Sequence, residues 1–272
     1  ITGASYCLGE KKCEYGQIKS IEKKLEEYGF SANAEVLGLG YYYKTTDIYK
    51  LAYESIAQTL STAGLSGDSI DSVVFCSSNF HHDLITQNRG FGRVLIEHGI
   101  NPKTLMCVCG VGCVSLLSGF ELASNQMETQ DIRRVLIINT DHIKAKSDSE
   151  RLIGFALLSD NVSSFILSDE ALTGCSFGVS GFYKETNLQQ MHDGINIKNC
   201  RKIQVIGPAI ERAGLDIHDI DKVFGNNIFP PQKKVKEQGY GFSNNQLYLD
   251  NVSRTAHCLG SDTLINFSDY MI

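Results

Sequence analysis

The amino-acid sequence predicts an α/β fold made of two related halves. Three observations support it: a repeat at a spacing of 150 residues, apolar strand segments that alternate with amphipathic helices, and a glycine-rich turn between a strand and a helix. Of the 272 residues, 42% are hydrophobic and 21% are charged, a balance typical of globular proteins. This length suits one large domain or two fused smaller ones.

The repeat aligns residues 56–76, IAQTLSTAGLSGDSIDSVVFC, with residues 206–226, IGPAIERAGLDIHDIDKVFGN, without a gap. Each copy predicts an amphipathic helix that stops at a glycine, then a short loop and an apolar strand. A chance likeness of two α/β segments is the alternative, but two clusters of identities in one register favour a duplication. The identical pairs are Ile56/Ile206, Ala63/Ala213, Gly64/Gly214, Leu65/Leu215, Ile70/Ile220, Asp71/Asp221 and Val73/Val223.

The same spacing continues further along the chain and predicts that residues 109–120 and 259–270 are equivalent elements. The matched pairs there are Gly110/Gly260, Ser118/Ser268 and Phe120/Tyr270.

These repeats divide the chain into a first half, residues 1–168, which carries the candidate nucleophile, and a second half, residues 169–272. After the glycine-rich turn, the first half continues with apolar strands at 134–139 and within 155–168. Adding the spacing to the end of the first half gives about residue 318. We therefore expect the second half to be incomplete at its end.

Cys113 is the candidate nucleophile because of its place in residues 106–123, MCVCGVGCVSLLSGFELA. An apolar strand is predicted to enter a tight turn there, and residues with helical spacing follow. The thiol then lies at a helix N-terminus, where unpaired N–H groups and the helix dipole favour a thiolate. Its own N–H can also stabilise an oxyanion. Gly110 and Gly112 permit the sharp turn and the close approach of a substrate.

Two other roles for Cys113 stay open on these residues alone: a buried core thiol, and a metal or redox site shared with Cys107 and Cys109. The spacing C-x-C-x3-C lacks the paired C-x2-C of common zinc sites, and a strand would point Cys107 and Cys109 the same way. The chain has nine cysteines, an odd number with irregular spacing. We interpret them as reduced thiols of a cytoplasmic protein.

Composition argues against two classes of partner. The net charge of −6 disfavours a general nucleic-acid binder, whose affinity needs a basic surface. No run of about 18 apolar residues is present, so no membrane span is predicted. The first residues do not form a basic region followed by an apolar run, and no signal peptide is predicted.

The residues around Cys113 resemble those of β-ketoacyl-ACP synthase III, an enzyme of the thiolase superfamily. The family's nucleophile motif reads C-A-G-F-x-x-A-L, and Cys113 begins the similar string CVSLLSGF. The family's first half ends in F-G-D-G-A-A-A before a strand, and residues 158–164 read LSDNVSS with Asp160 in register. The A-G-L and I-D-x-V segments are also typical of the family. The resemblance extends over nearly the whole chain.

This resemblance implies a duplicated thiolase-like fold, in which two βαβαβαββ halves form a five-layer α-β-α-β-α sandwich. It implies an acyltransferase whose Cys113 takes an acyl group from an acyl carrier protein or CoA thioester, without a metal or other cofactor. The family is usually dimeric, so we expect a homodimer, or a heterodimer with a related ketosynthase.

Two substitutions separate this chain from the family. The family's catalytic His lies in H-Q-A-N after the second I-D-x-V strand, but residues 223–229 read VFGNNIF and Asn226 takes the His position. The family's Asn lies in G-N-T, whereas here Ser261 follows Gly260. In the family this His and Asn hold the thioester carbonyl of malonyl-ACP as it decarboxylates. Loss of one such donor costs roughly 10²–10³ in rate, so we expect ordinary decarboxylative condensation to be impaired.

His257 is the candidate base of the second half because it lies four residues before Ser261, beside the expected active-site loop. A structural or surface histidine is the alternative. Asp262 could orient a histidine or replace the missing Asn. Asn226 and Asn227 can donate hydrogen bonds but cannot act as bases at neutral pH.

His82 and its neighbour His81 follow the apolar strand at 73–76, in a loop that the resemblance places near the acyl tunnel or the dimer interface. They could serve as acid–base groups, and a solvated loop is the alternative. Lys233, Lys234 and Lys236 follow two prolines on a predicted helix. The resemblance implies that a basic patch here receives the acidic carrier protein, and a solvated helix face is the alternative.

The sequence thus favours an acyltransferase of the ketosynthase III type, in polyketide or fatty-acid-like specialised metabolism, that passes its acyl group from Cys113 to an acceptor. A decarboxylative ketosynthase with altered catalytic groups is the second hypothesis. A non-catalytic partner subunit of an active ketosynthase is the third. The acyl chain and the acceptor do not follow from the sequence.

Overall fold

The computed structural model describes residues 1–30, 33–78, 84–172, 176–185 and 205–271. Its strands are β1 (Thr2–Leu8), β2 (Lys11–Glu14), β3 (Tyr41–Lys44), β4 (Ser72–Ser77), β5 (Thr104–Cys109), β6 (Arg134–Asp141), β7 (Leu152–Ile153), β8 (Ala156–Leu157) and β9 (Asn161–Ser168). Its α-helices are α1 (Ile21–Glu27), α2 (Ile48–Ala63), α3 (Leu84–Glu97), α4 (Ser115–Thr129), α5 (Ile206–Ala213), α6 (Pro230–Gln238), α7 (Asn251–Thr255) and α8 (Asp262–Tyr270).

A mixed five-stranded sheet with the order β1-β9-β6-β4-β5 is the centre of the first half. Strand β4 runs parallel to both β5 and β6, whereas β9 pairs antiparallel with β6 and β1. Alternate residues of β4 belong to two different hydrophobic cores. Val73 and Phe75 pack with α2 and α3, whereas Val74 and Cys76 pack with α4. The continuous apolar strand is therefore buried on both faces, as is typical of a parallel sheet between helical layers.

Helix α2 begins and ends where its sequence predicts. The Asp47 side chain accepts hydrogen bonds from the N–H groups of Tyr49 and Lys50, at 3.0 and 3.2 Å, and so caps the first turn. Gly64 ends the helix in the left-handed conformation, with a φ of 66°. In the second copy, α5 ends in the same way at Gly214, with a φ of 69°.

The two copies of the first repeat keep the same order of elements up to the strand. Short 3-10 helices at Gly67–Ser69 and Ile217–Asp219 follow the two glycine stops. The first copy then enters β4, but the second does not form the predicted strand: Val223 makes only a single parallel bridge to Leu247. Within the described residues this segment finds only this one bridge partner, so no strand ladder forms before α6.

The second stretch of the repeat is shifted from its predicted register. A 3-10 helix at Gly112–Val114 leads into α4, and another at Leu259–Ser261 leads into α8. Gly112 is thus matched by Leu259, 147 residues later, rather than by a residue 150 positions away. The predicted pairing of Gly110 with Gly260 is wrong by three residues, because the connection before the second turn is shorter by that number.

Helix α8 joins the core beside α4, because Leu264 packs with Leu116 and the β4 residue Val74. This packing brings the two 3-10 turns together at the C-terminal ends of β4 and β6. No helix in the described ranges combines the length and the apolar character needed to cross a bilayer.

Candidate active site

The turn that carries Cys113 leaves space around its backbone. Strand β5 ends at Cys109, and Gly110 and Gly112 follow with φ values of 76° and 60°. A Cβ added at either glycine would meet nothing within 4 Å. Cys113 is half-buried in the 3-10 turn just before α4, as its sequence predicts. The thiol therefore lies at a helix N-terminus with room beside it.

His257 reaches this thiol from the second half. The distance from its Nε2 to Cys113 Sγ is 3.2 Å. The His257 side chain is completely buried. Two backbone hydrogen bonds hold His257 against the segment that connects β8 and β9. Its N–H donates to Leu157 O at 2.8 Å, and its carbonyl accepts from Ser159 N at 3.0 Å. The imidazole is thereby fixed in one place relative to the sheet.

Asp262, the first residue of α8, holds the other side of the imidazole. One of its oxygens contacts His257 Nδ1 and accepts a hydrogen bond from Asn227 N at 2.5 Å. Its second oxygen accepts from Cys258 N at 2.6 Å. The carboxylate is fully buried, and its position at a helix N-terminus favours negative charge. Cys113, His257 and Asp262 thus form a nucleophile–base–carboxylate line.

The protonation of His257 follows from these contacts. Burial lowers the pKa of His257, but the charge and hydrogen bond of Asp262, together with the contact to Cys113, raise it by more, to about 10. An imidazolium at this distance donates its Nε2–H to the sulfur and supports negative charge there. Because the contact with Asp262 engages Nδ1, the nitrogen that faces Cys113 is Nε2.

The backbone on both sides of His257 is strained. Ala256 and Leu259 have φ values of 57° and 52°, in the left-handed region that residues with a Cβ rarely adopt. Such conformations cost about 1–3 kcal/mol each and persist where surrounding contacts enforce them. Here Asn227 supplies one such contact, because its Nδ2 donates to Ala256 O at 3.1 Å.

Asn227 therefore supports the position of His257 in two ways, through its N–H to Asp262 and its side chain to Ala256. Asn266 on α8 holds Asn227 in turn, since its Nδ2 donates to Asn227 Oδ1 at 2.9 Å. The same amide donates to Gly225 O at 2.9 Å. The loop in which the resembled family has its catalytic His instead positions a carboxylate in this chain.

A buried polar network joins the two turns beneath the site. Ser115 Oγ, at the start of α4, donates to Asn139 Oδ1 at 2.8 Å. Asn139 Nδ2 donates to Asp141 at 2.7 Å and to Ser261 Oγ at 2.9 Å. Ser163 donates to the same Ser261 hydroxyl at 2.8 Å. Ser261, the residue in place of the resembled family's Asn, is therefore buried and bonded within this network.

Asp141 ties the network to the end of β4 and to the second turn. Its carboxylate accepts from Ser78 N at 2.8 Å and from Gly260 N at 3.3 Å. Burial raises the pKa of Asp141 above its ordinary value, while these hydrogen bonds and the one from Asn139 oppose the rise. Asn139 and Asp141 were not predicted as site residues. Their signal in the sequence is two polar residues at the carboxyl end of a buried strand.

Asn226 is half-buried and lies next to Asn227, in the loop that supports Asp262. Its own side chain is not part of the contacts to His257 or Asp262. His82 falls outside the described residues.

Asp160, the residue in register with a motif of the resembled family, is buried. It forms a two-pronged ion pair with Arg151, with both N–O distances at 3.0 Å.

The three lysines predicted as a docking patch do not share one environment. They lie on α6 as predicted, but Lys233 is completely buried, and its Nζ donates to Tyr248 O at 2.9 Å and Gly225 O at 3.3 Å. Burial lowers the pKa of Lys233 to about 8, against the opposing charges of Asp262 and Glu237. The prediction that Lys233 belongs to an exposed patch is wrong, because this face of α6 packs inward. Lys234 and Lys236 are exposed.

Cys107 and Cys109 point to the exposed face of β5, with Val108 on the opposite face, as the strand pattern predicts. No cluster of three or more His, Cys, Asp or Glu side chains with metal-binding geometry occurs among the described residues.

The fold has close counterparts among solved structures. A protein named ChlB3, described as an acyltransferase, superposes with a TM-score of 0.77 at 15% identity, over 98% of this chain and 86% of that chain. A variant of OleA from Xanthomonas campestris gives 0.74 at 11% identity, over 99% and 88%. The 3-oxoacyl-(acyl carrier protein) synthase III, FabH, from Xanthomonas oryzae pv. oryzae gives 0.73 at 11% identity, over 100% and 89%.

No family model matches the sequence, and no curated protein sequence matches it. At these low identities the superpositions establish the fold. The chain is a mixed α/β protein with a thiolase-like fold, and its predicted resemblance to β-ketoacyl-ACP synthase III is confirmed at this level.

Proposed function

We propose that this protein is an acyltransferase of the ketosynthase III type, with Cys113 as the acyl-bearing nucleophile, His257 as the base and Asp262 as the residue that orients it. One observation carries the proposal: Cys113 Sγ lies 3.2 Å from His257 Nε2, while His257 Nδ1 contacts Asp262. A nucleophile within hydrogen-bond reach of a base that a third group orients is the arrangement that acyl transfer requires.

In the first step, the Cys113 sulfur attacks the carbonyl carbon of an acyl thioester. The carbon–sulfur bond of the donor breaks, and the donor thiolate leaves with the proton that His257 Nε2 holds. The N–H of Cys113, in the first helical turn, is the candidate donor to the oxyanion. A thioester donor agrees with the names of the neighbours, which include a 3-oxoacyl-(acyl carrier protein) synthase III and a variant of OleA with bound lauric acid and lauroyl-CoA.

In the second step, a hydroxyl or amine acceptor attacks the acyl group on Cys113. His257 takes the acceptor's proton, the thioester bond to Cys113 breaks, and the sulfur leaves as a thiolate. The contact with Cys113 helps to raise the pKa of His257. Acylation of the sulfur removes that contribution, so the imidazole releases its proton more readily and becomes a base for the acceptor.

Decarboxylative condensation has less support. It would use two donors to hold the carbonyl of a malonyl thioester, at the positions of Asn226 and Ser261. The Ser261 hydroxyl is buried and bonded to Asn139 and Ser163. A base in contact with the nucleophile suits transfer to a protic acceptor better than condensation, and this favours the acyltransferase; its place in polyketide or fatty-acid-like specialised metabolism is part of the proposal.

A homodimer is part of the proposal, since β5 is an edge strand of the five-stranded sheet. Leu105 on this strand is 50% exposed, and Cys107 and Cys109 are also exposed. An unpaired apolar edge favours strand addition from a second copy. A non-catalytic partner subunit is disfavoured, because it would have no need of an assembled Cys–His–Asp line.

The test is intact-mass measurement after incubation with acyl-CoA and acyl-carrier-protein thioesters. We expect one acyl adduct on the intact protein, and none on Cys113→Ala. Cys109→Ala is the matched control, because it removes a nearby exposed thiol and leaves the adduct in place. An adduct that persists in Cys113→Ala, or no adduct with any thioester, would sink the proposal.

The acceptor step separates the two enzyme hypotheses. Acyl-protein is mixed with alcohols, amines and malonyl-ACP, and loss of the adduct and release of carbon dioxide are followed together. Loss of the adduct to an alcohol or amine without carbon dioxide supports transfer. Stoichiometric carbon dioxide with a β-ketoacyl product would instead establish condensation.

A further inference from the structure

A second concave site lies on the first half of the molecule. It is a cleft of about 540 Å³, formed where the β1–β2 turn, the β3–α2 connection and the segment after β6 meet. Its lining residues are Glu10, Lys11, Lys44, Thr45, Thr46, His142, Ile143, Lys144, Ala145, Lys146 and Arg151. None of Cys113, His257 and Asp262 belongs to it. The volume lies in the range of small-molecule sites, about 300–1,000 Å³.

The lining is strongly cationic in a chain whose net charge is −6. Five of the lining residues are Lys or Arg, and Glu10 is the acid among them. The Lys44 ammonium is paired with Asp148 at 2.8 Å. Within the described part of the chain, Lys11 and Lys146 are exposed and form no ion pair. The Glu10 carboxylate accepts hydrogen bonds from the N–H and the hydroxyl of Thr46, at 3.0 and 3.2 Å.

Arg151 gives this cleft a rigid wall. Its side chain is 5% exposed, and its two terminal nitrogens bind both oxygens of the fully buried Asp160. Asp160 also accepts from Thr45 N at 2.9 Å and Ile143 N at 2.7 Å, so two of the lining segments are anchored to one carboxylate. Preorganised walls reduce the conformational cost of binding a ligand.

The charge that a ligand could reach comes from the lysines. The buried Nε of Arg151 has no hydrogen-bond partner within the described residues, and it is not accessible from the cleft. Arg151 is therefore a fixed, buried part of the wall, and the exposed Lys11 and Lys146 supply accessible positive charge.

We infer that this cleft binds a small phosphate-bearing compound. A phosphate group offers several strong acceptors and up to two negative charges, which matches the lysines that line the cleft. The Thr45 and Thr46 hydroxyls and the apolar Ile143 and Ala145 would contact the rest of the ligand. The site stands on its own contacts and does not depend on the acyl-transfer proposal.

Isothermal titration of the whole protein with inorganic pyrophosphate and inorganic phosphate tests the inference. We expect saturable binding of at least one of them at low ionic strength. The double variant Lys11→Ala/Lys146→Ala should weaken it at least tenfold. Both side chains are exposed, so the fold is expected to survive. The matched control is Lys234→Ala/Lys236→Ala, which removes the same charge from α6 and should leave the affinity unchanged.

Three outcomes would overturn the inference. The first is no saturable binding of either anion by the unaltered protein up to millimolar concentration. The second is an equal loss in the control variant, which would show a general charge effect. The third is equal or tighter binding of oxalate, which would assign the cleft to dicarboxylates. Arg151→Lys, which keeps the charge but breaks the two-pronged pair with Asp160 that anchors the lining segments, should also weaken pyrophosphate binding, and unchanged affinity there would contradict the role of the preorganised wall.

Discussion

The two turns that meet at the candidate active site each contain a 3-10 helix that leads into an α-helix, but their surroundings differ. Gly110 and Gly112 shape the first turn and have open space beside them. In the second turn, Leu259, at the position of Gly112, has a positive φ although it carries a side chain, and so does Ala256 before it. The first turn is thus open around its thiol, while the second is strained and braced. This difference suits a nucleophile that must admit substrate and a base that must stay fixed.

The first residues of the two helices extend the comparison. Ser115 begins α4 and Asp262 begins α8, each directly after its 3-10 turn. Ser115 donates to Asn139 and belongs to the buried network. Asp262 binds His257 and two backbone N–H groups. Equivalent positions in the two halves therefore hold a structural hydroxyl in one half and a charged orienting group in the other.

The largest effect is expected from Asp262→Asn. The amide keeps the size of the side chain but loses the charge that raises the pKa of His257, and it can hold the imidazole in the wrong tautomer. We expect the rate of acyl transfer from Cys113 to fall by roughly 10²–10⁴. The measurement is single-turnover loss of the acyl adduct by intact mass.

Ser115→Ala is the matched control at the equivalent helix position. It removes one neutral hydrogen bond to Asn139 and should slow transfer much less, with a cost of about 1 kcal/mol in stability. Equal losses in both variants would show that the two turns play the same structural part, and would remove the basis for assigning the base to the second half.

A stability difference is expected between two glycine-to-alanine variants. A Cβ at Gly260 would clash with Ser115 Oγ and lie 2.7 Å from Asn139 Oδ1, so Gly260→Ala should lower the free energy of unfolding by about 1–3 kcal/mol. At Gly112 the added Cβ meets no atom within 4 Å, and only the left-handed φ opposes it. Urea denaturation should show the larger loss for Gly260→Ala. The reverse order would mean that the second turn is not closely packed.

The elements of the first half were predictable because their signals are local. The apolar strand at 134–139, the glycine stop at Gly64 and the strand-to-helix position of Cys113 all follow from neighbouring residues. The contacts that join Cys113, His257 and Asp262 were not predictable in the same way. His257 and Asp262 were named as candidates from their place beside a turn, but the contact to Cys113 joins residues 144 positions apart. Such a contact depends on how α8 packs against α4.

Lys233 shows that a run of lysines does not by itself predict an exposed helix face. The K-K-x-K string suggests a solvated face, yet Lys233 and Glu237, one turn apart, are both buried, while Val235 is 74% exposed. Carbonyl groups of Gly225 and Tyr248 satisfy the buried ammonium. No local pattern predicts these acceptors, because they come from segments that only the tertiary fold brings together.

The charge of His257 in the second turn also predicts a pH dependence of stability, which the neutral Ser115 after the first turn does not contribute. The pKa of His257 is raised to about 10 in the folded protein, above its ordinary value of 6.5. Its contribution to stability is therefore fully present below about pH 6.5 and is lost as the pH rises towards 10. The destabilisation by His257→Asn should be larger near pH 6 than near pH 10.5, while that by Ser115→Ala should not change. Urea denaturation at about these two pH values measures both, and a pH-independent His257→Asn effect would contradict the buried imidazolium.

The smallest effect is expected on α6, where the second half presents Lys234 and Lys236 to solvent. If these two residues receive an acidic carrier protein, Lys234→Glu/Lys236→Glu should slow acylation by an acyl carrier protein several-fold at low salt, and less at high salt. Acylation by a small thioester mimic should be unaffected, because the mimic carries no acidic surface. Lys233→Met is the informative comparison: it removes a buried cation, so it should lower stability and affect both donors alike. If the glutamate variant slows acylation by both donors equally, docking at α6 is excluded. The proposed role of the second half would then be limited to His257 and the groups that position it.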